Sequence, residues 1–226
     1  MSFITKILRW IVVAFFASTI LVVVWYKFFP VWVTPLMVIR CAEQVGDGHF
    51  PTLHHSWVSI DEMPKEMPTA VMASEDQLFL KHHGFDFDAI QKAVKRNQKA
   101  GKKKYGASTI SQQTAKNVFL WPGRSWLRKG LEMYFTTLIE FVWGKERIME
   151  VYLNSIEMGN GIYGVKAVAE HHFDKEPEEL TRRDCALIAA TLPNPRQFSS
   201  KDPSPYMRKR QRQILVQMKY VSWKGE

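Results

Sequence analysis

From Trp10 to Tyr26 the chain reads WIVVAFFASTILVVVWY, 17 residues without a charge. That length lies at the short end of what a helix needs to cross a bilayer. Ile7 and Leu8 extend the run while Lys6 and Arg9 can reach back to the interface. Trp10, Trp25 and Tyr26 stand where aromatic rings sit at headgroup level. No small-residue cleavage site follows, so the run reads as an uncleaved anchor rather than a removed signal peptide. The basic flanks disfavour a buried core helix. Lys6 and Arg9 precede the span, which puts the short N-terminus in the cytoplasm and the rest outside; Lys27 and Arg40 pull against that orientation. The next segment, Phe28 to Ile39, is apolar but broken by Pro30 and Pro35, and reads as lying in the membrane interface with Phe28, Phe29, Trp32 and Leu36 available to it. The expected layout is an anchor region over 1–40, with its span at about 10–26, and a folded domain over 41–226.

The 226 residues are enough for one good-sized core. A net charge of +9 favours an anionic partner without choosing among phosphate, nucleic acid and lipid headgroups. Only Cys41 and Cys185 occur, with no metal-ligand spacing, and two unpaired thiols are the plainer reading. After the anchor, a stretch rich in Gly, Pro and His reads as extended connection with one strand near Ser56 to Ile60. Helices then dominate. KERIMEVYLNSI places Ile148, Tyr152 and Ile156, with Met149 and Leu153, on one stripe at the helical period. GVKAVAEHHF and RRDCALIAATL behave similarly, and SPYMRKRQRQILVQM closes the chain with a basic helix. A basic run, Lys95, Arg96, Lys99, Lys102, Lys103 and Lys104 around Gly101 and Gly106, reads either as a solvated loop or as a cationic working surface.

Five stretches carry chemistry. ASEDQLFLKHHGFD begins at Ala73, GASTISQQTAKN at Gly106, WLRKGLE at Trp126, KERIMEVYLNSIEMGNGIYGVKAVAEHHF at Lys145 and AATLPNPRQFSSKDP at Ala189. Together and in this order, the chain resembles the peptidoglycan glycosyltransferases, most closely their monofunctional membrane-anchored form. Ala107, Ser111 and Met149 depart from the family's usual Gly, Thr and Leu, and none of these removes a reactive group.

The resemblance implies a mainly α, lysozyme-like domain in two lobes with one N-terminal transmembrane helix. It implies an enzyme of the bacterial inner membrane, single-pass, with its catalytic domain on the periplasmic face. Its substrates would be lipid II and the growing glycan strand, joined by an inverting displacement that makes a β-1,4 bond and releases polyprenyl pyrophosphate. By resemblance Glu75 is the catalytic base and Glu132 the family's second glutamate, orienting Arg128 or Lys129 or helping to position the leaving group. Lys116, Arg128 and Lys129 offer positive charge to the pyrophosphate, Arg128 as a planar fork and Lys129 as a point charge. Ser108, Thr109, Gln112 and Gln113 suit sugars and phosphate. No cofactor is required and no residue cluster demands a metal, though Mg or Mn could supplement the charge. The expected partners are the bilayer and a cell-wall synthesis complex, not nucleic acid. Asp76 is expected to hold local structure, because neighbouring helical side chains point about 100° apart. Phe79 and Tyr152 are expected to pack, His82 or His83 to bond the following turn, and Asn154, Gly159, Gly161 and Gly164 to be structural.

Two rivals remain. A membrane-bound lytic enzyme of lysozyme-like shape would share the fold and the acidic pair, but has no pyrophosphate to justify the cations. A membrane-tethered, non-enzymatic binder of anionic ligands would use Lys95 to Lys104. A cross-linking transpeptidase domain is not expected, since the sequence has no Ser-x-x-Lys.

Overall fold

The computed structural model describes residues 3–100 and 106–223. Of the basic run, Lys95, Arg96 and Lys99 lie on a helix, while Gly101, Lys102, Lys103 and Lys104 fall outside the described residues. In chain order the elements are α1 (Phe3–Phe28), α2 (Pro35–Gly46), β1 (His54–His55), α3 (Glu66–Glu75), α4 (Phe87–Ala100), α5 (Ile110–Phe119), α6 (Trp126–Val142) and α7 (Gly144–Ser155). They continue with β2 (Glu157–Gly159), β3 (Ile162–Tyr163), α8 (Gly164–Val168), α9 (Arg182–Ala189) and α10 (Pro205–Gln217). The expectation of a mainly helical domain with one apolar N-terminal helix holds.

Two groups of helices make the two lobes. In one, α3, α9 and α10 pack on one another; in the other, α5, α6 and α7 do. A continuous apolar core joins them, with Met67 and Val71 of α3, Ile110 of α5, Ile148 and Leu153 of α7, Ile188 of α9 and Ile214 of α10 all buried in it. The apolar stripe read on α7 is buried as expected, and Ile156 caps the helix just past its end.

α1 is long and apolar enough to cross a membrane. At about 1.5 Å per residue its 26 residues span about 39 Å, more than the charge-free run alone. Its second half is docked on the domain. Thr19 Oγ1 and Tyr134 OH of α6 are 2.8 Å apart, and Trp143 Nε1 donates to the Val23 carbonyl at 2.7 Å. Arg147 then donates to the carbonyls of Tyr26 and Phe29, at 2.8 and 2.6 Å through Nη2. A guanidinium there satisfies carbonyls that a helix C-terminus leaves unpaired and complements its dipole.

Two local expectations are corrected. Leu36 does not face the membrane interface: Thr34 caps α2, Pro35 opens it, and Leu36 and Met37 are buried against Tyr163 of β3. Phe28, Phe29 and Trp32 do remain exposed. The strand expected near Ser56 to Ile60 forms instead at His54–His55, paired in parallel with β3, which pairs antiparallel with β2. Beyond it the Asn154 amide takes the place of a strand partner, accepting from Val58 N–H and donating to the Val58 carbonyl, both at 2.9 Å. The backbone of Asn154 is approached closely as well: Gly164 has φ +82°, and a Cβ there would lie 2.5 Å from the Asn154 carbonyl oxygen.

Candidate active site

Glu75 is the last residue of α3, and Asp76, immediately after it, has left the helical conformation with φ −160°. The break sends the two carboxylates in different directions. Asp76 turns inward as a clasp. His82 Nε2 lies 2.9 Å from both of its oxygens, and the Ile110 backbone N–H donates to Oδ2 at 3.0 Å. Gly84 N–H donates to His82 Nδ1 at 3.1 Å, which places the ring proton on Nε2, aimed at Asp76. Asp76 therefore ties the end of α3 to the start of α5, with His82 bonding the following turn, and Phe79 is fully buried beneath.

Among the described residues Glu75 has no cation in hydrogen-bonding contact. Gln113 Nε2 of α5 donates to its Oε2 at 3.2 Å, and Ser74 Oγ donates to its Oε1 at 3.0 Å. The Gln113 amide is itself oriented, because the hydroxyl of Tyr152, a fully buried residue of α7, donates to Gln113 Oε1 at 3.2 Å. Burial pushes the Glu75 carboxyl above its ordinary range, opposed by the Gln113 and Ser74 hydrogen bonds and by the more distant Arg210 charge. Arg210 of α10 also fixes the backbone, donating from Nη2 to the Ser74 carbonyl at 3.2 Å.

The second glutamate lives differently. Ser125 caps α6, and on its first turns Arg128 and Lys129 both reach Glu132, which is buried. Arg128 Nη1 donates to Glu132 Oε2 at 2.7 Å, and Lys129 Nζ donates to Oε1. The spacings of four and three residues are those that bring helical side chains together. Arg128 Nε is buried with no partner among the described residues. Lys116, on α5, belongs to the same electrostatic group: burial and then the Arg128 charge lower its proton affinity, Glu132 raises it, and Arg40 and Lys129 lower it further. The structure thus gathers Lys116, Arg128, Lys129 and Glu132 on the packed pair α5 and α6, and sets Glu75 beside α5 through Gln113.

Two of the expected substrate-binding residues are engaged within the fold. Thr109 and Gln112 are buried and form a reciprocal cap on α5: Gln112 N–H donates to Thr109 Oγ1 at 3.2 Å, and Thr109 N–H donates to Gln112 Oε1 at 3.1 Å. Thr109 Oγ1 further donates to the Gly84 carbonyl at 2.7 Å. Their capacity is used to start the helix rather than turned outward. Ser108 is exposed just before the cap. Sequence reasoning missed Tyr152 as an orienting donor, Arg210, and Arg40 on α2. A threonine three residues before a glutamine was a legible capping signal, whereas Arg210 stood among other basic residues with nothing to single it out.

Among the described residues no group of three or more His, Cys, Asp or Glu could hold a metal ion. Chemically, the arrangement offers a partly desolvated carboxylate able to accept a proton and, apart from it, a cationic group able to take negative charge.

A family model described as Transglycosylase matches residues 45–219. The chain is similar to a protein named biosynthetic peptidoglycan transglycosylase from Bacteroides thetaiotaomicron, 60% identical over 221 residues covering 96% of this chain and 89% of that one. Proteins of the same name from Bdellovibrio bacteriovorus and Caulobacter vibrioides are 54% identical over 210 residues and 48% identical over 216. The first alignment covers 92% of this chain and 84% of the relative, the second 94% and 91%.

Proposed function

This chain belongs to the transglycosylase family, and from that membership we propose that it polymerises lipid II into β-1,4-linked glycan strands at a membrane surface. It is a glycosyltransferase of peptidoglycan with a lysozyme-like domain. In the reaction we propose, the growing strand is the donor, joined through pyrophosphate to its polyprenyl carrier. Glu75 takes the proton from the 4-hydroxyl of the incoming lipid II as that oxygen attacks the donor's anomeric carbon. The bond from that carbon to the pyrophosphate oxygen breaks, the configuration inverts, and polyprenyl pyrophosphate leaves toward Lys116, Arg128 and Lys129. Desolvation suits the base, because a raised proton affinity strengthens it and a site shielded from water favours a sugar hydroxyl over hydrolysis.

The observation that carries the reading is the separation of roles between the carboxylates. Glu75 is held by neutral donors, and Glu132 is consumed by two cations. Arg128 keeps an unpartnered buried Nε among the described residues, which fits a group meant to meet an anion. These side chains supply the leaving-group charge and no resident cofactor is required; Mg or Mn would act beside them on the diphosphate oxygens, which a chelator titration of activity reads. The anchor places the domain at the surface where a lipid-linked substrate resides, and the basic residues before the span favour an outer, periplasmic face of the inner membrane.

The deciding experiment incubates the purified full-length chain with lipid II and, separately, with finished glycan. Growth of polymer from lipid II supports the reading. Release of fragments from finished glycan without polymer growth would replace it with a lytic enzyme.

A further inference from the structure

Among the described residues, and apart from Glu75 and its partners, positive charge gathers around a cavity. It measures about 670 Å³ and opens between α9, α10 and the turns near His172 and Ser200. Five cations line it, Lys175, Arg183, Lys201, Arg208 and Arg212, against the single carboxylate of Asp184. Lys175 Nζ donates to Asp184 Oδ2 at 2.7 Å, so that pair neutralises itself. The charged groups of the other four make no ion pair among the described residues. Four unpaired cations on a concave wall repel one another and focus a positive potential into the space between them. Phe173, Leu187 and Leu215 give the cavity an apolar floor.

The cavity is distinct from the Glu75 site. Arg208 and Arg212 are one helical turn apart on α10, whereas Arg210, which holds Ser74 beside Glu75, lies about 160° round the helix from Arg208. Nor is it on the anchored side: α1 packs on α6, while α9 and α10 pack on α3 and on each other. A ligand arriving from solvent fits this placement better than a lipid headgroup. Guanidinium forks match carboxylates, and the polymer this enzyme makes, on the function proposed above, is built of disaccharide-peptide units whose peptides end in carboxylates.

We propose that this cavity is a subsite for the peptide carboxylates of the glycan strand and retains the polymer on the enzyme between additions. The test uses the full-length chain in detergent and a fluorescently labelled disaccharide-peptide, read by anisotropy. The expected result is binding that weakens at least about tenfold when the peptide carboxylates are amidated, and by a similar factor in the double variant Arg208→Gln, Arg212→Gln. All four unpaired cations are exposed, so the fold should survive, and a matching thermal melt checks it. The variant Arg208→Lys, Arg212→Lys should retain most of the affinity. With lipid II, the double Gln variant should make shorter strands while forming the first bond at an unchanged rate.

Equal binding of free and amidated peptide, or full affinity in the double Gln variant, would overturn the subsite. So would anionic lipid vesicles competing for the cavity while amidation has no effect, since that outcome assigns it to headgroups. Absence of polymerisation by the unmodified chain would remove the function proposed above, whereas the peptide comparison reads the cavity by itself.

Discussion

Glu75 and Glu132 are both helical carboxylates withdrawn from solvent, and their surroundings are opposite. Around Glu75 the donors are an amide and a hydroxyl, and burial leaves the carboxyl more basic than usual. Around Glu132 the donors are Arg128 and Lys129, which occupy both of its oxygens. A carboxylate paired twice with cations is a good template, since it fixes two long side chains that would otherwise lose entropy on meeting a ligand. The contrast sets one glutamate among neutral donors and the other between two cations, and the division of roles proposed above rests on that difference of partners.

The hardest blow to this contrast is Glu75→Gln. The amide is nearly isosteric and cannot take a proton, so polymerisation should fall by roughly 10² to 10⁴. Because burial raises the folded-state pKa of Glu75, its ionised form costs stability, and that cost grows as pH rises through the folded pKa. Glu75→Gln should therefore melt no lower than the unmodified protein at neutral pH, with the difference disappearing in acid. Activity of the unmodified enzyme should show an acid limb above the usual carboxylate range. Arg210→Gln removes a charge that lowers the Glu75 pKa, so that limb should move to higher pH. A limb unmoved in Arg210→Gln and still present in Glu75→Gln would assign it to another group.

Next in size is the cationic side. Arg128→Ala should reduce donor turnover more than Lys129→Ala, because the Arg128 side chain is 10% exposed and that of Lys129 39%, and screening weakens the exposed charge. We expect roughly 10- to 1,000-fold for Arg128→Ala and a smaller loss for Lys129→Ala. Glu132→Gln should leave the acid limb in place while raising KM, as the two cations lose their template. If Glu132→Gln instead abolished the limb, the roles of the two glutamates would have to be exchanged.

Much of the architecture was legible in the residues. The charge-free run announced α1, and the period of Ile148, Met149, Tyr152 and Leu153 announced a buried α7. The motif residues Glu75, Gln113, Lys116, Arg128 and Lys129 were all named from the chain. What escaped was long-range. The Asp76 clasp spans 34 residues to the Ile110 backbone, and Asn154 reaches Val58 across 96. No local pattern encodes such pairings, because they depend on how segments far apart in the chain meet. α2 escaped for a different reason: Pro30 and Pro35 looked like breakers, yet a proline at the first helical position is compatible with a helix start. With α2 went Arg40, whose charge is felt at Lys116 and whose Nη1 is held by Glu43 at 2.5 Å.

The finest test concerns how Glu75 is aimed rather than what it does. Tyr152 and Gln113 form a relay in which the phenol selects the face of the amide, and the amide then offers N–H rather than C=O to the carboxylate. Tyr152→Phe keeps the ring in its fully buried place and removes only the hydroxyl. Gln113 Oε1 then lacks its donor, and an amide turned over would set two acceptors, Oε1 and the Glu75 carboxylate, against each other. Losing one oriented hydrogen bond is worth roughly 1 to 2 kcal/mol, so kcat should drop about 5- to 30-fold with little change in KM. The acid limb should rise as Glu75 loses a donor to its ionised form. Nothing comparable is expected on the Glu132 side, where direct ion pairs leave no relay to misalign. Tyr152→Phe with unchanged kcat and an unmoved limb would show that Ser74 and the end of α3 aim Glu75 unaided, and would leave Tyr152 as packing alone.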